Sequence, residues 1–255
     1  MDNLYPPGFA RFYDTIYHQM RDDVDSGYFL NEIRSARGKV LEIGAGTGRL
    51  FTCALEQGAD IYGLDISESM LDILRGKLGS DQQHRISRQN IIDFSLDHRF
   101  DLIIAPFRVL MHLLEKADQV KAINNVYDHL NPGGRFIFDL FIPDLRQLIN
   151  GLQNHTDFDG EYEPGRRLKR TVTTHPDLNT QTIMISFHLE WEEADGLKQE
   201  TWDLPLRFFF RFELEHLIER TKFESYTIDG DYSGSKLTSQ SKDYVIRCLK
   251  GHEKL

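Results

Sequence analysis

The chain has 255 residues, 40% hydrophobic and 27% charged, which is ordinary for a soluble globular protein with one large domain, or one domain and a sizeable insertion. Its 30 Lys and Arg against 40 Asp and Glu leave a formal charge of -10, so nucleic acid or an anionic membrane would need a local basic face against a repelling field. Two cysteines, Cys53 and Cys248, make no disulfide framework and no metal-ligand spacing. The N-terminus lacks a basic then apolar leader and no stretch approaches the length of a membrane span, so the cytoplasm is the expected setting.

In chain order, FARFYDTIYHQMRDDVDSGYF (9–29) places Phe9, Phe12, Tyr13, Ile16 and Tyr17 at helical spacing, an aromatic face. KVLEI (39–43) reads as a buried strand and RLFTCALEQ (49–57) as the helix after it. ADIYGLDI (59–66) is a second strand, and SESMLDILRGKL (67–78) a second helix capped by Ser67 with Glu68 beside it. RISRQN (85–90) is a weak third strand, FDLIIAPF (100–107) a strong fourth, and EKADQVKAINNVYDHL (115–130) a helix. NPGG (131–134) reads as a turn into a fifth strand, RFIFDLF (135–141). Alternating strands and helices predict a parallel sheet covered on both faces.

After about residue 145 the period changes. Ile183, Ile185, Phe187, Leu189 and Trp191 fall on every second position, as do Trp202, Leu204, Leu206 and Phe208. RRLKRTVTTH (166–175) adds another strand, its basic run read as a solvated edge, and an antiparallel sheet is expected over about 160–211. ELEHLIERT (213–221) is then a helix, while FESYTI (223–228) and DYVIRCLK (243–250) return to the main sheet.

Gly44, Gly46 and Gly48 give G-x-G-x-G straight after the first strand, where a ligand can approach the backbone and meet free helix N–H groups. Arg49 stands where a dinucleotide fingerprint needs its third glycine, and no Gly-Lys-Ser/Thr follows, which weakens NAD and excludes a Walker loop. Glu42 sits two residues before the first glycine, and Asp65 ends the second strand, where a carboxylate can accept from both hydroxyls of a ribose. A ligand with a cationic amino-acid end, a ribose and no phosphate suits this set, and S-adenosylmethionine is such a ligand.

VLEIGAGTGR, GLDISESML, QNIIDF, FDLIIAPFRVLMHL and LNPGGRFIFDLF, in that order over residues 39–142, resemble the serial motifs of class I S-adenosylmethionine-dependent methyltransferases. The resemblance implies an α/β, Rossmann-like sheet with helices on both faces, and an inserted antiparallel β-sheet. It implies a helical cap over 1–36, a methyltransferase domain over 37–145 and 212–255, and the insertion over 146–211, which roofs the acceptor site or pairs two copies into a homodimer. By the same resemblance Glu42, Gly44, Ala45 and Gly46 line the methionine moiety, Asp65 holds the ribose, and Ile66 packs on the adenine. Asn90 and Ile91 meet the adenine edge, Phe107 lies near the sulfonium, and Tyr17 closes over the cofactor with Tyr13, a catalytic candidate.

His112 resembles a histidine that lies close to the acceptor nitrogen in amino-sugar N-methyltransferases, and it has the chemistry of a general base. Arg108 and Asp139 are expected to meet the acceptor. Ala105-Pro106-Phe107-Arg108 lacks the Asp/Asn-Pro-Pro-Tyr/Phe run of enzymes that methylate exocyclic base amines. The expected activity is methylation of a small molecule, nitrogen favoured over oxygen. The alternatives are methylation of tRNA or protein, and a non-catalytic cofactor-binding scaffold.

Overall fold

A computed structural model describes residues 5–20 and 24–251. The leader reading of the first four residues, positions 21–23 of the aromatic segment and the last four residues of the chain lie outside the described residues. Two helices come first, α1 (Pro7–Met20) and α2 (Val24–Ser35). The alternating part follows as β1 (Val40–Ile43), α3 (Arg49–Glu56), β2 (Ile61–Asp65), α4 (Glu68–Lys77), β3 (Ile86–Arg88), β4 (Phe100–Ala105), α5 (Lys116–His129) and β5 (Leu130–Phe141). The insertion is α6 (Leu145–Asn150) with β6 (Leu152–Glu163), β7 (Arg166–Asp177), β8 (Thr182–Glu193) and β9 (Gly196–Arg207). The chain returns through α7 (Arg211–Glu219), β10 (Ser225–Asp229) and β11 (Asp243–Leu249).

The main sheet runs β10-β11-β5-β4-β1-β2-β3, parallel from β3 to β5, with β11 antiparallel to β5. All four residues of β1 are buried, as expected of a strand covered on both faces. The strand order reverses on either side of β1, and open α/β sheets bind ligands in the crevice at such a switch point. Ser67 caps α4 by accepting from the Met70 N–H at 3.4 Å. At 131–134 the expected turn is a loop within β5. Leu130 pairs with Phe100 and Arg135 with Leu102, so the residues between bulge out of the ladder.

The inserted sheet has four strands over 152–207, where the alternation predicts a start near 160. The additional strand, β6, escapes the pattern because it buries only Phe158 and shifts register three times against β7. The inner face of the sheet packs Leu168, Val172, Phe187, Leu189, Trp202 and Leu204 against Phe9, Phe12 and Ile16 of α1. The outer face is polar, with Ser186 donating to Asp203 and His188 paired with Thr201. Trp202, Phe208 and Phe209 are thus covered within the chain, and Phe210 is the exposed one of the set.

The basic run 166–170 lies on β7, an interior strand of the sheet, and is solvated at Arg166 and Arg167, whose side chains are 39% and 65% exposed. Asp159 and Glu163 on β6 pair with Arg167 and Arg166, and Arg170 is buried at 1% exposure, bonded to Asp157 at 2.8 and 3.0 Å. Cross-strand acids neutralise the patch that a nucleic acid would need. No helix among the described residues is long and apolar enough to cross a membrane.

Candidate active site

Three glycines with φ of 75°, 56° and 87°, at Gly44, Gly46 and Gly48, carry the backbone from β1 into α3. That left-handed sequence is why the residues are glycine. The Gly44 and Ala45 N–H groups donate to the Leu64 carbonyl at 2.8 and 3.0 Å, stitching the turn to the end of β2. Asp65 then takes the Gly46 N–H on Oδ2 and the Ser67 N–H on Oδ1, both at 2.8 Å. Its carboxylate is nearly buried, and burial raises its pKa against the pull of these backbone donors.

A cavity opens over this turn, with about 900 Å³ of empty space, part of it continuous with solvent. Gly44, Gly46, Asp65 and Ile66 form one wall, and Gln89, Asn90 and Ile91 the next. Asn90 Oδ1 accepts from the Ile92 N–H at 3.0 Å, an Asx turn that fixes the loop after β3. Phe107, Val109, His112 and Leu113 close the far end, and Tyr5 and Tyr13 of the N-terminal segment cover it.

The cover is anchored. Asp14 of α1 accepts from Thr47 Oγ1 and from Lys77 Nζ, each at 2.6 Å, while Ser69 donates to the Tyr5 carbonyl at 2.9 Å. One face of α1 therefore meets the cavity and another takes the inserted sheet.

His112 ends a 3-10 turn, Val109–His112, with its Nε2 3.1 Å from the Tyr5 hydroxyl. Its Nδ1 is buried without a hydrogen-bond partner, and burial lowers its pKa to about 4, so the imidazole is neutral in neutral solution. Glu42 is 1% exposed with Oε2 unpartnered, and burial pushes its pKa well above the ordinary value, opposed by Arg49 and helped by Asp65.

Of the residues singled out in the sequence, Tyr13, Gly44, Gly46, Asp65, Ile66, Asn90, Ile91, Phe107 and His112 converge on this cavity. Glu42, Ala45 and Tyr17 do not line it: Glu42 is buried one residue behind Ile43, Ala45 packs against Gly63, and Tyr17 lies against Tyr13 with ring centroids 4.4 Å apart. Arg108 and Asp139, expected at the acceptor, do not line this cavity; Asp139 is buried and Arg108 turns toward the loop that follows β10. The Arg108 N–H donates to Asp139 at 3.4 Å and its guanidinium to Asp243 at 2.9 Å, a better environment for buried charge than an apolar cavity. Tyr5, Met70, Gln89 and Val109 also line the cavity. Tyr5 lies four residues before Phe9, on whose ring it stacks, and that helical spacing is the signal that marks it.

A methyltransferase domain family matches residues 41–136. The methyltransferase YqeM of Bacillus subtilis strain 168 is 27% identical over 95% of this chain and 96% of its own length. The cypemycin N-terminal methyltransferase of a Streptomyces species is 24% identical over 96% of each. The solved structure of CalS10 with S-adenosylmethionine bound, an amino pentose methyltransferase of Micromonospora echinaspora, superposes with a TM-score of 0.69 at 19% identity, covering 98% of this chain and 99% of that one. The sheet and its glycine turn define a class I methyltransferase fold. The chain is similar to methyltransferases along its length and shares the fold of S-adenosylmethionine-dependent ones.

The residues present fit that cofactor. Asp65 has lone pairs left for hydroxyls, the apolar side chains Ile66 and Ile91 suit a purine face, and Glu42, just behind the wall residue Ile43, carries a buried carboxylate whose unpartnered oxygen suits an ammonium. An ammonium brought against Glu42 favours its charged form, so binding lowers its pKa and drives off a proton. S-adenosylhomocysteine binding is therefore expected to release protons and to tighten as pH rises through the range where free Glu42 titrates. Calorimetry in two buffers of different ionisation heat measures this, and equal heats would separate Glu42 from the ammonium.

Proposed function

We propose that the protein transfers the methyl group to a nitrogen of a small molecule, at the end of the cavity formed by Tyr5, Tyr13, Phe107 and His112. The bound cofactor supplies a methyl group on a sulfonium, and displacement turns that cation into a neutral thioether. The chain's part is to hold the nucleophile in line and to exclude water.

The observation that carries this reading is the chemistry of that end. Its polar groups are two phenols and an imidazole held neutral by burial, set among Pro106, Val109 and Leu113. A cationic amine finds no counter-ion among these side chains, so its neutral form is favoured, and that is the form with a lone pair to attack. His112 and Tyr13 are assigned to the acceptor: hydrogen bonds from them orient the nitrogen. Every residue in this arrangement comes from one chain. The inserted sheet backs α1, and through α1 sets the position of Tyr5 and Tyr13.

Three particulars favour nitrogen and a small acceptor. The cypemycin enzyme and CalS10 are named for an N-terminal and an amino pentose acceptor. The acids of β6 neutralise the basic run that a polyanion would need. The loop Ala105-Pro106-Phe107-Arg108 lacks the residues that grip an exocyclic base amine.

The test is transfer of labelled methyl to a panel of primary and secondary amines, matched alcohols, bulk tRNA and a denatured proteome. Label on an amine supports the proposal. Label confined to alcohols, tRNA or protein refutes it, and no transfer despite tight cofactor binding makes the protein a cofactor-binding scaffold. With an active amine in hand, His112→Ala is expected to leave S-adenosylhomocysteine affinity unchanged and to lower turnover by about 100-fold. Unchanged turnover would remove His112 from the acceptor site.

A further inference from the structure

Phe107 and Arg108 are consecutive non-glycine residues in left-handed conformation, with φ of 59° and 69°. Side chains resist that conformation, and it persists only where the surroundings enforce it. The pair matters because it forms the turn from β4 into the 3-10 turn, which puts Phe107 on the cavity wall and leads into Val109 and His112.

The enforcing groups come from elsewhere in the chain. The Arg49 guanidinium lies 4.1 Å from the centre of the Phe107 ring. Beneath the turn, at the end of β5, Asp139 is completely buried. Its Oδ1 accepts from the Arg108 N–H at 3.4 Å, and its Oδ2 accepts from the Tyr232 hydroxyl at 3.0 Å. Tyr232 belongs to the loop between β10 and β11, and Asp243, at the far end of that loop, holds the Arg108 guanidinium at 2.9 Å. A carboxylate buried this deeply is costly unless its lone pairs are used. Here they are spent on the turn and on the tyrosine that fixes the carboxylate's orientation.

We propose that Asp139 and Tyr232 are positioning residues of the cofactor site: together they hold the Phe107–Arg108 turn left-handed, so that Phe107 and His112 face the cavity. Neither lines the cavity. The loop from 230 to 242, outside the methyltransferase-domain match, thereby sets the geometry of a site it does not line. The proposal depends on the cavity being the cofactor site.

The test is S-adenosylhomocysteine titration of the wild-type protein and of three variants, with melting temperature measured alongside. Asp139→Leu removes both hydrogen bonds while keeping the same branching of the side chain, and is expected to weaken binding about tenfold or more. Asp139→Asn keeps an oxygen for the Arg108 N–H and a polar partner for Tyr232, and is expected to stay within about threefold of wild type. Tyr232→Phe deletes one hydroxyl and is expected to weaken binding by about threefold to tenfold with little change in melting temperature. Adding Arg108→Gly to Asp139→Leu supplies a residue that adopts the left-handed turn unaided, so affinity should recover in part, which a merely structural role for Asp139 would not produce. Wild-type affinity in both Asp139→Leu and Tyr232→Phe overturns the proposal. Where Asp139→Leu does not fold, Tyr232→Phe alone decides. A wild-type protein that fails to bind would overturn the cofactor site itself, and this proposal with it.

Discussion

Asp65→Ala is expected to weaken S-adenosylhomocysteine binding by about 100-fold or more, the sum of two losses that each exceed 1 kcal/mol or so. The first lies in the protein. Without the carboxylate, the Gly46 and Ser67 N–H groups, which donate to it at 2.8 Å each, lose their acceptor, and with it the tie between the glycine turn and α4. The second is the loss of a charged acceptor for ribose hydroxyls. Asp65→Asn separates the two, since the amide oxygen can serve one backbone donor while the amide nitrogen opposes the other. It is expected to fall between wild type and alanine in affinity. A titration showing Asp65→Ala equal to wild type would place the ligand elsewhere.

Gly44→Ala should be as damaging, for a steric reason. At φ 75° an L-residue carries a left-handed penalty of about 1–2 kcal/mol. The added Cβ would also stand 2.4 Å from Val109 Cγ2, closer than real Cβ contacts, so either the stiff Val109 side chain must turn or the glycine turn and the 3-10 turn carrying His112 must separate. Cofactor affinity is expected to drop by at least about tenfold, with a melting temperature lower by several degrees for a chain of this size. Gly58→Ala is the control. It shares the left-handed φ, at 84°, but its Cβ would meet nothing within 4 Å, so it should cost stability alone and leave affinity intact. Val109→Ala combined with Gly44→Ala should recover part of the affinity by removing the atom that clashes. A double variant no better than Gly44→Ala would show that strain, not the clash, dominates.

Much of this architecture is legible in the chain because its signals are local. The apolar run ending in Gly44 must be a buried strand, and Ser67 before an amphipathic stretch must start a helix. The conjunction of Glu42, three alternate glycines and Asp65 specifies a cofactor by the charges its parts carry. What escapes the sequence depends on partners far along the chain. β6 buries one side chain and breaks register three times, so no alternation betrays it. The basic run 166–170 is solvated at its start, but Arg170 is buried and the run is paired only because β6 brings Asp157, Asp159 and Glu163 across from it. Arg108 and Asp139, each plausible beside an acceptor, satisfy one another and Asp243 instead, 31 and 135 positions away from Arg108 in sequence. Of the inserted sheet's aromatics, Trp202 is covered by α1, while Phe208 and Phe209, just after the sheet, join the main core.

The most direct test of the site is calorimetric titration of the purified protein with S-adenosylhomocysteine, run beside Asp65→Ala and with NAD as the control ligand. Micromolar or tighter binding by the wild type, lost in Asp65→Ala and absent with NAD, is the predicted result. Binding of NAD in preference to S-adenosylhomocysteine, or an Asp65→Ala protein that binds as well as wild type, would contradict the assignment of the glycine turn and its carboxylates to the methyl donor.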